Sequence, residues 1–296
     1  MTMLRDLVDP TEQPIQVATG FVFTEGPIWM NDGSLCFSDV VGNTRGRWHP
    51  KLGLWKKTPN NIGNGMTRDS KGSLIICEHA NSRVIRETPA GEVEVVASHY
   101  KNKELNSPND VVAASDDSII FTDPSYGRLP GFGVERPVQL DFRGVYRVPA
   151  NGGEPQLLAG DFGEPNGLCF SPGEKLLYVN DTPRANIRVF DVAADYKLSN
   201  DRIFAQNIGT GEIAGGVVDG MKVDEFGNVY VTGPKGIWVF DPGGSHIGVI
   251  PIPEHTANMN WGDSDWSTLY VAASTSVYRL RMKVRGNPLP YMRRSK

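Results

Sequence analysis

The chain has 296 residues, of which 39 % are hydrophobic and 22 % charged, so it carries enough apolar side chains for a large core and is not a disordered protein. The formal net charge is −4, and no Lys/Arg cluster occurs before the last dozen residues, which argues against a nucleic-acid partner. No apolar run approaches the roughly 18 residues of a membrane helix, so we expect no membrane partner.

Two features of the sequence predict a cytoplasmic protein. The first residues, MTMLRDLVDP, are not followed by the apolar segment of a signal peptide. Cys36, Cys77 and Cys169 each lie in an apolar run, and none of them has CxxC spacing. This odd number of cysteines predicts buried free thiols in a reducing compartment.

One phrase recurs six times along the chain: a short apolar strand, a turn containing Gly or Asp, and a second strand. Long helical periodicity is nearly absent. The six phrases are GPIWM-NDG-SLCFSDV from Gly26, GMTRD-SKG-SLIICEH from Gly65, DVVAA-SDD-SIIFTDP from Asp110, GLCFS-PGEK-LLYVNDT from Gly167, GMKVD-EFG-NVYVTGP from Gly220 and MNWGD-SDW-STLYVAAS from Met259. Third strands follow, among them GVYRVP from Gly144, NIRVFDV from Asn186, GIWVFDP from Gly236 and SVYRLRM from Ser276.

The spacing of these phrases predicts an all-β, six-bladed β-propeller with four-stranded antiparallel blades. Successive phrases start 39 to 57 residues apart, which is the length of a propeller blade, with insertions in the third and fourth. The sixth phrase has only three strands, so we expect an N-terminal strand within residues 15–23 to close the last blade and protect the sheet edges. Residues 1–296 then form a single domain. The alternative is a β-sandwich or two small β domains, whose strands would not repeat the same internal phrase.

The residues immediately before the six first strands are all carboxylates or amides, and we call them the channel ring. Because the first strand of each propeller blade lines the central channel, these side chains should converge at one mouth of the channel. Convergent oxygen ligands with two negative charges suit one divalent cation. Ca²⁺ is favoured, Mg²⁺, Mn²⁺ and Zn²⁺ are the alternatives, and the competing interpretation is that these residues only cap turns. The channel ring is Glu25, Asn64, Asn109, Asn166, Asp219 and Asn258.

A second set of residues, at the end of the second strand of each blade, supports the prediction of the channel ring, and we call it the second register. The ends of the second strands carry four acidic residues, with His79 beside one of them, at the same mouth as the channel ring. These acids either orient the ring residues or cap turns. The residues in this register are Asp39, Glu78, Asp123 and Asp181, followed by Gly233 and Ala273 in the last two blades.

Five motifs together resemble the gluconolactonase, regucalcin and senescence-marker-protein family over residues 20–280. They are FTEGPIW from Phe23, NSPNDVV from Asn106, FTDPSYG from Phe121, EPNGLCFSPGEKLLYV from Glu164 and DGMKVDEFGNVYV from Asp219. The resemblance implies a six-bladed propeller with a divalent metal in its channel and hydrolysis of sugar-acid lactones. By motif, Glu25, Asn166 and Asp219 match the metal ligands of the family, and Asn109 matches a ligand or a substrate contact.

Two positions depart from the family pattern. Animal members of the family have a motif similar to RFND where this chain has Ser107-Pro108-Asn109-Asp110. Their substrate-contacting Arg therefore has no counterpart at Ser107. Many members read PDG where this chain has Val218-Asp219-Gly220. The first departure bears on sugar specificity, and the second on loop stiffness.

The function that we predict is metal-assisted hydrolysis of a sugar-acid lactone. Asp219 is the first candidate for the general base, because it matches the residue that the family uses there, and Glu25 is the second. The rival functions are hydrolysis of phosphotriesters or fluorophosphates at the same metal site, and binding of a protein or peptide by a non-catalytic propeller. We expect a monomer or small homo-oligomer. Candidate contacts to the sugar lactone are Asn64, His79, Asn106, Asn109, Tyr126 and Asn258.

Residues 124–143 form an insertion in the third blade. Because this third-blade insert leaves the end of a second strand, it emerges at the mouth that carries the channel ring. It is predicted either to overhang the site and shape substrate choice through Tyr126 and Arg128, or to be a plain surface loop.

Overall fold

Six antiparallel sheets of four strands each form a six-bladed propeller, as the recurring phrase predicts. A computed structural model describes residues 2–287. The chain begins with a short helix, α1 (Leu4–Leu7), and strand β1 (Ile15–Thr19).

The first two blades use consecutive strands. The first contains β2 (Thr24–Trp29), β3 (Leu35–Asp39), β4 (Thr44–His49) and β5 (Gly53–Pro59). The second contains β6 (Gly63–Arg68), β7 (Leu74–Glu78), β8 (Arg83–Glu87) and β9 (Val93–Ala97). A short hairpin of β10 (His99–Tyr100) and β11 (Lys103–Glu104) then leads to the third blade.

The third and fourth blades carry the insertions. The third contains β12 (Val111–Ala113), β13 (Ile119–Asp123), a 3-10 turn (Tyr126–Arg128), β14 (Arg143–Val148) and β15 (Gln156–Phe162). The fourth contains β16 (Pro165–Phe170), β17 (Leu176–Asp181), β18 (Asn186–Val192) and β19 (Leu198–Gln206), and a 3-10 turn (Ile213–Gly215) follows it.

The fifth blade and most of the sixth complete the chain. The fifth contains β20 (Met221–Val223), β21 (Val229–Gly233), β22 (Gly236–Phe240) and β23 (His246–Pro251). The sixth contains β24 (Thr256–Gly262), β25 (Thr268–Ala273) and β26 (Ser276–Arg281), with β1 as its fourth strand.

The ring of blades is closed by β1, which pairs antiparallel with β26. The register runs from Ile15 opposite Arg279 to Thr19 opposite Ser276. The predicted strand, residues 15–23, therefore ends four residues early. Gly20 turns the chain at φ +88°, and the ring of Phe21 then packs edge-on against Phe37 at 5.0 Å.

Burial explains why the inner strands read as continuous apolar runs. Every residue of β3, β7, β13 and β21 is buried, because each of these strands is covered on both faces by neighbouring blades. The outermost strands, such as β5, are mostly exposed. The three cysteines lie on inner strands and are buried free thiols, as predicted.

The blades begin within two residues of their predicted starts, at Thr24, Gly63, Val111, Pro165, Met221 and Thr256. Four of the channel-ring residues lie inside the first strand and not before it. In these four blades the register to the second strand shifts beside the ring residue, as it does between Glu25 and Ile28. A bulge re-aims a side chain, and here it lies where the ring residue meets the channel. No helix within residues 2–287 is long and apolar enough to cross a membrane.

Candidate functional site

One cavity at a mouth of the channel brings most of the predicted site residues together. Four of the ring residues that line it, Glu25, Asn109, Asn166 and Asp219, are the predicted metal ligands. Its other lining residues are Phe23, Val40, Asn64, His79, Tyr126, Leu129, Phe132, Thr182, Ile213, Val217 and His255.

The asparagines of the channel ring are joined by hydrogen bonds that run in one direction. Asn64 Nδ2 donates to Asn109 Oδ1, and Asn109 Nδ2 donates to Asn166 Oδ1 at 2.5 Å. Asn166 Nδ2 then donates to Thr182 Oγ1 at 3.2 Å. Since an amide oxygen has two lone pairs, Asn109 and Asn166 each keep one for a ligand in the cavity.

Glu25 and Asp219 are buried carboxylates that repel each other. Burial, followed by the negative charge of Asp110, raises the pKa of Glu25 to about 7. Burial, followed by the charges of Glu25 and Asp110, raises the pKa of Asp219 well above its usual range. Glu25 Oε2 accepts hydrogen bonds from Gly26 N at 2.6 Å and from Asn258 Nδ2 at 2.8 Å. These two buried carboxylates are therefore stable side by side only when one of them binds a proton or when both bind a cation.

The donor set fits a hard divalent cation. Two carboxylates and two amide oxygens, from Glu25, Asp219, Asn109 and Asn166, face one cavity. Within the described part of the chain, no group of three or more His, Cys, Asp or Glu residues could hold a metal. Oxygen donors of mixed charge are typical of Ca²⁺ sites, whereas zinc sites use Cys and His.

Glycines after the ring residues allow neighbouring blades to approach closely at the channel. A Cβ added at Gly167 would lie 2.1 Å from Asp219 O, and one added at Gly220 would lie 2.1 Å from Asn258 Oδ1. Gly167 N instead donates to Asp219 O at 3.1 Å, which ties the fourth blade to the fifth. The Asn-Gly and Asp-Gly motifs therefore have a packing role beside the ring.

Three acids of the second register hold the backbone that leads to a ring residue. Asp39 accepts hydrogen bonds from the N–H groups of residues 22 and 23 at 3.1 and 2.9 Å. Asp123 binds the N–H groups of residues 106 and 107 at 2.9 and 2.8 Å. Asp181 binds those of residues 163 and 164 at 2.8 and 3.1 Å. In each blade the held amides lie three and two residues before the ring residue, so the acids orient the ring through the backbone.

Glu78 departs from this pattern. It accepts a hydrogen bond from Asn61 Nδ2 at 2.9 Å and forms an ion pair with Arg83 at 2.5 Å. The next residue, His79, faces the cavity and connects the channel ring to the third-blade insert. Its Nδ1 lies 2.8 Å from Phe132 O, and its Nε2 lies 3.3 Å from Asn64 Nδ2. A carbonyl can only accept, so Nδ1 carries the proton, and burial lowers the pKa of this neutral imidazole.

Two predicted substrate contacts do not line the cavity. Asn106 is fully buried and its Nδ2 donates to Phe142 O at 2.9 Å and to Asp123 O at 3.2 Å, so its NH₂ group is used on backbone carbonyls. Asn258 lies behind Glu25 and donates to it. We therefore assign Asn106 to loop structure and Asn258 to positioning of the Glu25 carboxylate.

The third-blade insert lies over the cavity, but only part of it faces inward. Tyr126, Leu129 and Phe132 line the cavity. Arg128 turns the other way: its guanidinium donates to the carbonyl oxygens of Leu105 and Asn106 and pairs with Glu104 at 3.0 Å. The expectation that Arg128 shapes substrate choice directly is therefore wrong, because this side chain holds the insert in place.

Sequence reasoning missed Thr182, Phe132 and His255. Thr182 directly follows Asp181 as His79 follows Glu78, so the second register contained the signal for it. Phe132 lies in the insert, and its ring packs edge-on against Phe23 at 5.6 Å. No sequence pattern marks Phe132 or His255, because loop packing alone brings them to the cavity.

The fold and this cavity define a class of proteins: six-bladed propellers with a polar ligand site at one mouth of the channel. Within that class the chain belongs to the SMP-30/Gluconolactonase/LRE-like family, whose model matches residues 23–275.

Three relatives show the extent of the similarity. A gluconolactonase of Zymomonas mobilis is 29 % identical over 304 residues, which cover 95 % of this chain and 85 % of that protein. The structure of XC5397 from Xanthomonas campestris, a gluconolactonase, is 30 % identical, with a TM-score of 0.85 and coverage of 94 % and 92 %. A regucalcin from Agrobacterium tumefaciens, 18 % identical with a TM-score of 0.76 and coverage of 94 % and 97 %, shares the fold.

Proposed function

We propose that this protein is a metal-dependent lactonase that hydrolyses a sugar-acid lactone. The observation that carries the proposal is the convergence of Glu25, Asn109, Asn166 and Asp219 on one cavity in a member of this family. The relatives from Zymomonas mobilis and Xanthomonas campestris, both described as gluconolactonases, support the same reaction class.

The four residues would hold one divalent cation, with Ca²⁺ favoured. Such an ion, when bound, polarises the lactone carbonyl and stabilises the negative charge that develops on its oxygen. The two carboxylates supply the charge that retains the ion, and the amide oxygens of Asn109 and Asn166 complete the site without adding charge.

Asp219 is the residue that we assign as the general base. The site needs a group that takes a proton from the attacking water, and a buried carboxylate with a raised pKa is a stronger base than an exposed one. Glu25 is the second candidate, but its Oε2 already accepts two hydrogen bonds, from Gly26 and Asn258. Asn64, Asn109, His79 and Tyr126 lie around the same cavity and orient the substrate.

The proposal extends to the setting of the enzyme. The protein acts in the cytoplasm as one domain, in the form of a monomer or small homo-oligomer. The three buried free thiols are compatible with a reducing compartment.

Metal depletion tests the reaction class. Protein treated with EDTA and passed through a chelating resin should lose activity on D-glucono-1,5-lactone in a pH-stat assay. Added Ca²⁺ should restore more activity than Mg²⁺, Mn²⁺ or Zn²⁺. Full activity without metal would overturn the metal role. Hydrolysis of paraoxon in preference to the lactone would favour the phosphotriesterase alternative, and no hydrolysis of either would favour a binding propeller.

A further inference from the structure

The side-chain amide of Asn64 is held in one orientation by two hydrogen bonds. Its Nδ2 donates one hydrogen to Asn109 Oδ1 and the other to His79 Nε2, which lies 3.3 Å away. An amide nitrogen has only two hydrogens, so both are used within the protein. The oxygen of the same amide, Oδ1, accepts no hydrogen bond from residues 2–287 and is left as an acceptor.

His79 determines which way this amide points. Its Nδ1 donates to Phe132 O at 2.8 Å, because a carbonyl oxygen can only accept. The neutral imidazole then has its lone pair at Nε2, so the Asn64 group beside it has to be the NH₂. Turning the amide over would place its oxygen against this lone pair and against Asn109 Oδ1. His79 therefore holds Asn64 Oδ1 on the side that has no protein partner.

The backbone of Asn64 is held between two neighbouring blades. Ser38 Oγ of the first blade donates to Asn64 O at 2.8 Å, and Gly65 N donates to Asn109 O of the third blade at 2.9 Å. The Asn64 side chain lines the cavity and is only 7 % exposed. Because a buried acceptor without a partner costs free energy, Oδ1 is suited to bind a donor that enters the cavity.

Asn64 lies in the channel ring between Glu25 and Asn109, two of the proposed metal ligands. A sugar-acid lactone whose carbonyl lies at these ligands has one donor close to that carbonyl, the hydroxyl on the adjacent ring carbon, C2. Its other hydroxyls are further from the carbonyl. The C2 hydroxyl is therefore the group that reaches Asn64 Oδ1 while the carbonyl stays at the ligands.

On the basis of the proposed lactonase function, we infer that Asn64 recognises the C2 hydroxyl of the lactone, which donates to Asn64 Oδ1, and that His79 is a positioning residue that holds the amide for this contact. The site then selects lactones with a hydroxyl on the carbon next to the carbonyl. A substituent at C2 that cannot donate leaves Asn64 Oδ1 buried without a partner.

Two analogues of D-glucono-1,5-lactone test this contact, one with hydrogen and one with fluorine in place of the C2 hydroxyl. Fluorine withdraws electrons as the hydroxyl does but cannot donate a hydrogen bond. Each kcat/KM is measured by pH-stat on the full-length protein at saturating Ca²⁺ and divided by the rate constant of the same lactone with hydroxide. We expect the normalised kcat/KM of D-glucono-1,5-lactone to exceed that of either analogue by about 10- to 100-fold, as when a buried acceptor loses its partner.

Variants of the two residues connect this ratio to the structure. Asn64→Leu keeps the size of the side chain without an acceptor and should bring the ratio close to one. His79→Leu should also lower it, whereas His79→Gln, whose amide offers a donor and an acceptor as neutral His79 does, should retain it. Asn260→Leu is the matched control, because Asn260 lies on an inner strand and donates to Pro27 O at 2.9 Å but does not line the cavity. Its ratio should be unchanged.

Binding is measured apart from turnover with D-glucono-1,5-lactam, which resists hydrolysis. In calorimetric titration it should bind wild-type protein more tightly than its 2-deoxy analogue does, and Asn64→Leu should remove the difference. Equal affinities in wild type would contradict recognition of the C2 hydroxyl.

The outcomes separate this inference from the proposed function. If the protein hydrolyses all three lactones with equal normalised kcat/KM, or if Asn64→Leu keeps the ratio of wild type, the lactonase function stands and the role of Asn64 is wrong. If His79→Gln and His79→Leu lower the ratio equally, His79 does not position the amide. If no lactone is hydrolysed with any of the four metals, the proposed function itself fails, and the inference with it.

Discussion

Replacing Asp219 by Asn separates two roles of one carboxylate, that of metal ligand and that of proton acceptor. The amide keeps an oxygen at the same position in the cavity but carries no charge and accepts no proton. A general base contributes about 10²- to 10⁴-fold to a reaction of this kind. We therefore expect kcat to fall by about 10²- to 10⁴-fold even at saturating metal.

The same substitution should make the metal-free protein more stable. Asp219 is buried beside Glu25, and burial and the nearby negative charges raise its pKa well above the usual range. Each unit of that rise costs about 1.4 kcal/mol once the group is ionised. Since the amide has no charge to bury, metal-free Asp219→Asn should melt above metal-free wild type at pH 8, by about 2 °C for each kcal/mol recovered.

Asn166→Ala is the matched control, because it removes a neutral ligand oxygen and leaves both carboxylates in place. Asn166 Nδ2 also donates to Thr182 at 3.2 Å and its Oδ1 accepts from Asn109 Nδ2 at 2.5 Å, so the main losses are one ligand and two hydrogen bonds. We expect weaker metal affinity and activity that millimolar Ca²⁺ or Mn²⁺ partly restores. The assay is kcat at saturating metal, measured by pH-stat, together with calorimetric melting in EDTA. If added metal restores Asp219→Asn as fully as Asn166→Ala, Asp219 is only a ligand and Glu25 is the next residue to test.

Three further predictions concern the pH dependence of the Glu25 and Asp219 pair, the role of Asp181 and the closure of the ring by β1. Because the pKa values of Glu25 and Asp219 are raised in the folded state, the pair favours the metal-free fold at low pH and loses that contribution as pH rises through about 7. The melting temperature in EDTA should fall from pH 5 to pH 8, and the increase on adding Ca²⁺ should grow over the same interval; a Ca²⁺ effect independent of pH contradicts this. Asp181→Ala frees the backbone before Asn166 and should weaken metal affinity about tenfold. The control Asp241→Ala frees the amides of residues 243 and 245 in a distant turn and should lower only stability. Equal metal affinities of the two variants in calorimetric titration would count against a positioning role of Asp181. Deleting residues 1–24 removes β1 and leaves the outer edge of β26 unpaired, so the product should aggregate on size-exclusion chromatography, and a soluble form that melts cooperatively would refute closure by β1.

The blades and the polar end of the cavity could be predicted from the repeating pattern of the chain. Each blade is a series of hairpins between neighbouring strands, so the same order of turns and buried strands repeats along the chain, and the blades can be counted from the sequence. The channel ring could be located in the same way, because the start of every inner strand faces one axis. Glu25, Asn64, Asn109, Asn166 and Asp219 all line the cavity for this reason.

Contacts that no repeat encodes were decided by the tertiary structure alone. The sequence located Asp39, Asp123 and Asp181 but not their partners, since a carboxylate at a strand end can cap its own turn or hold a distant loop. Arg128 and Phe132 lie four residues apart in one insert, yet one pairs with Glu104 and the other faces the cavity. The insert has no period, so only its packing on the neighbouring blades selects which of its side chains line the cavity.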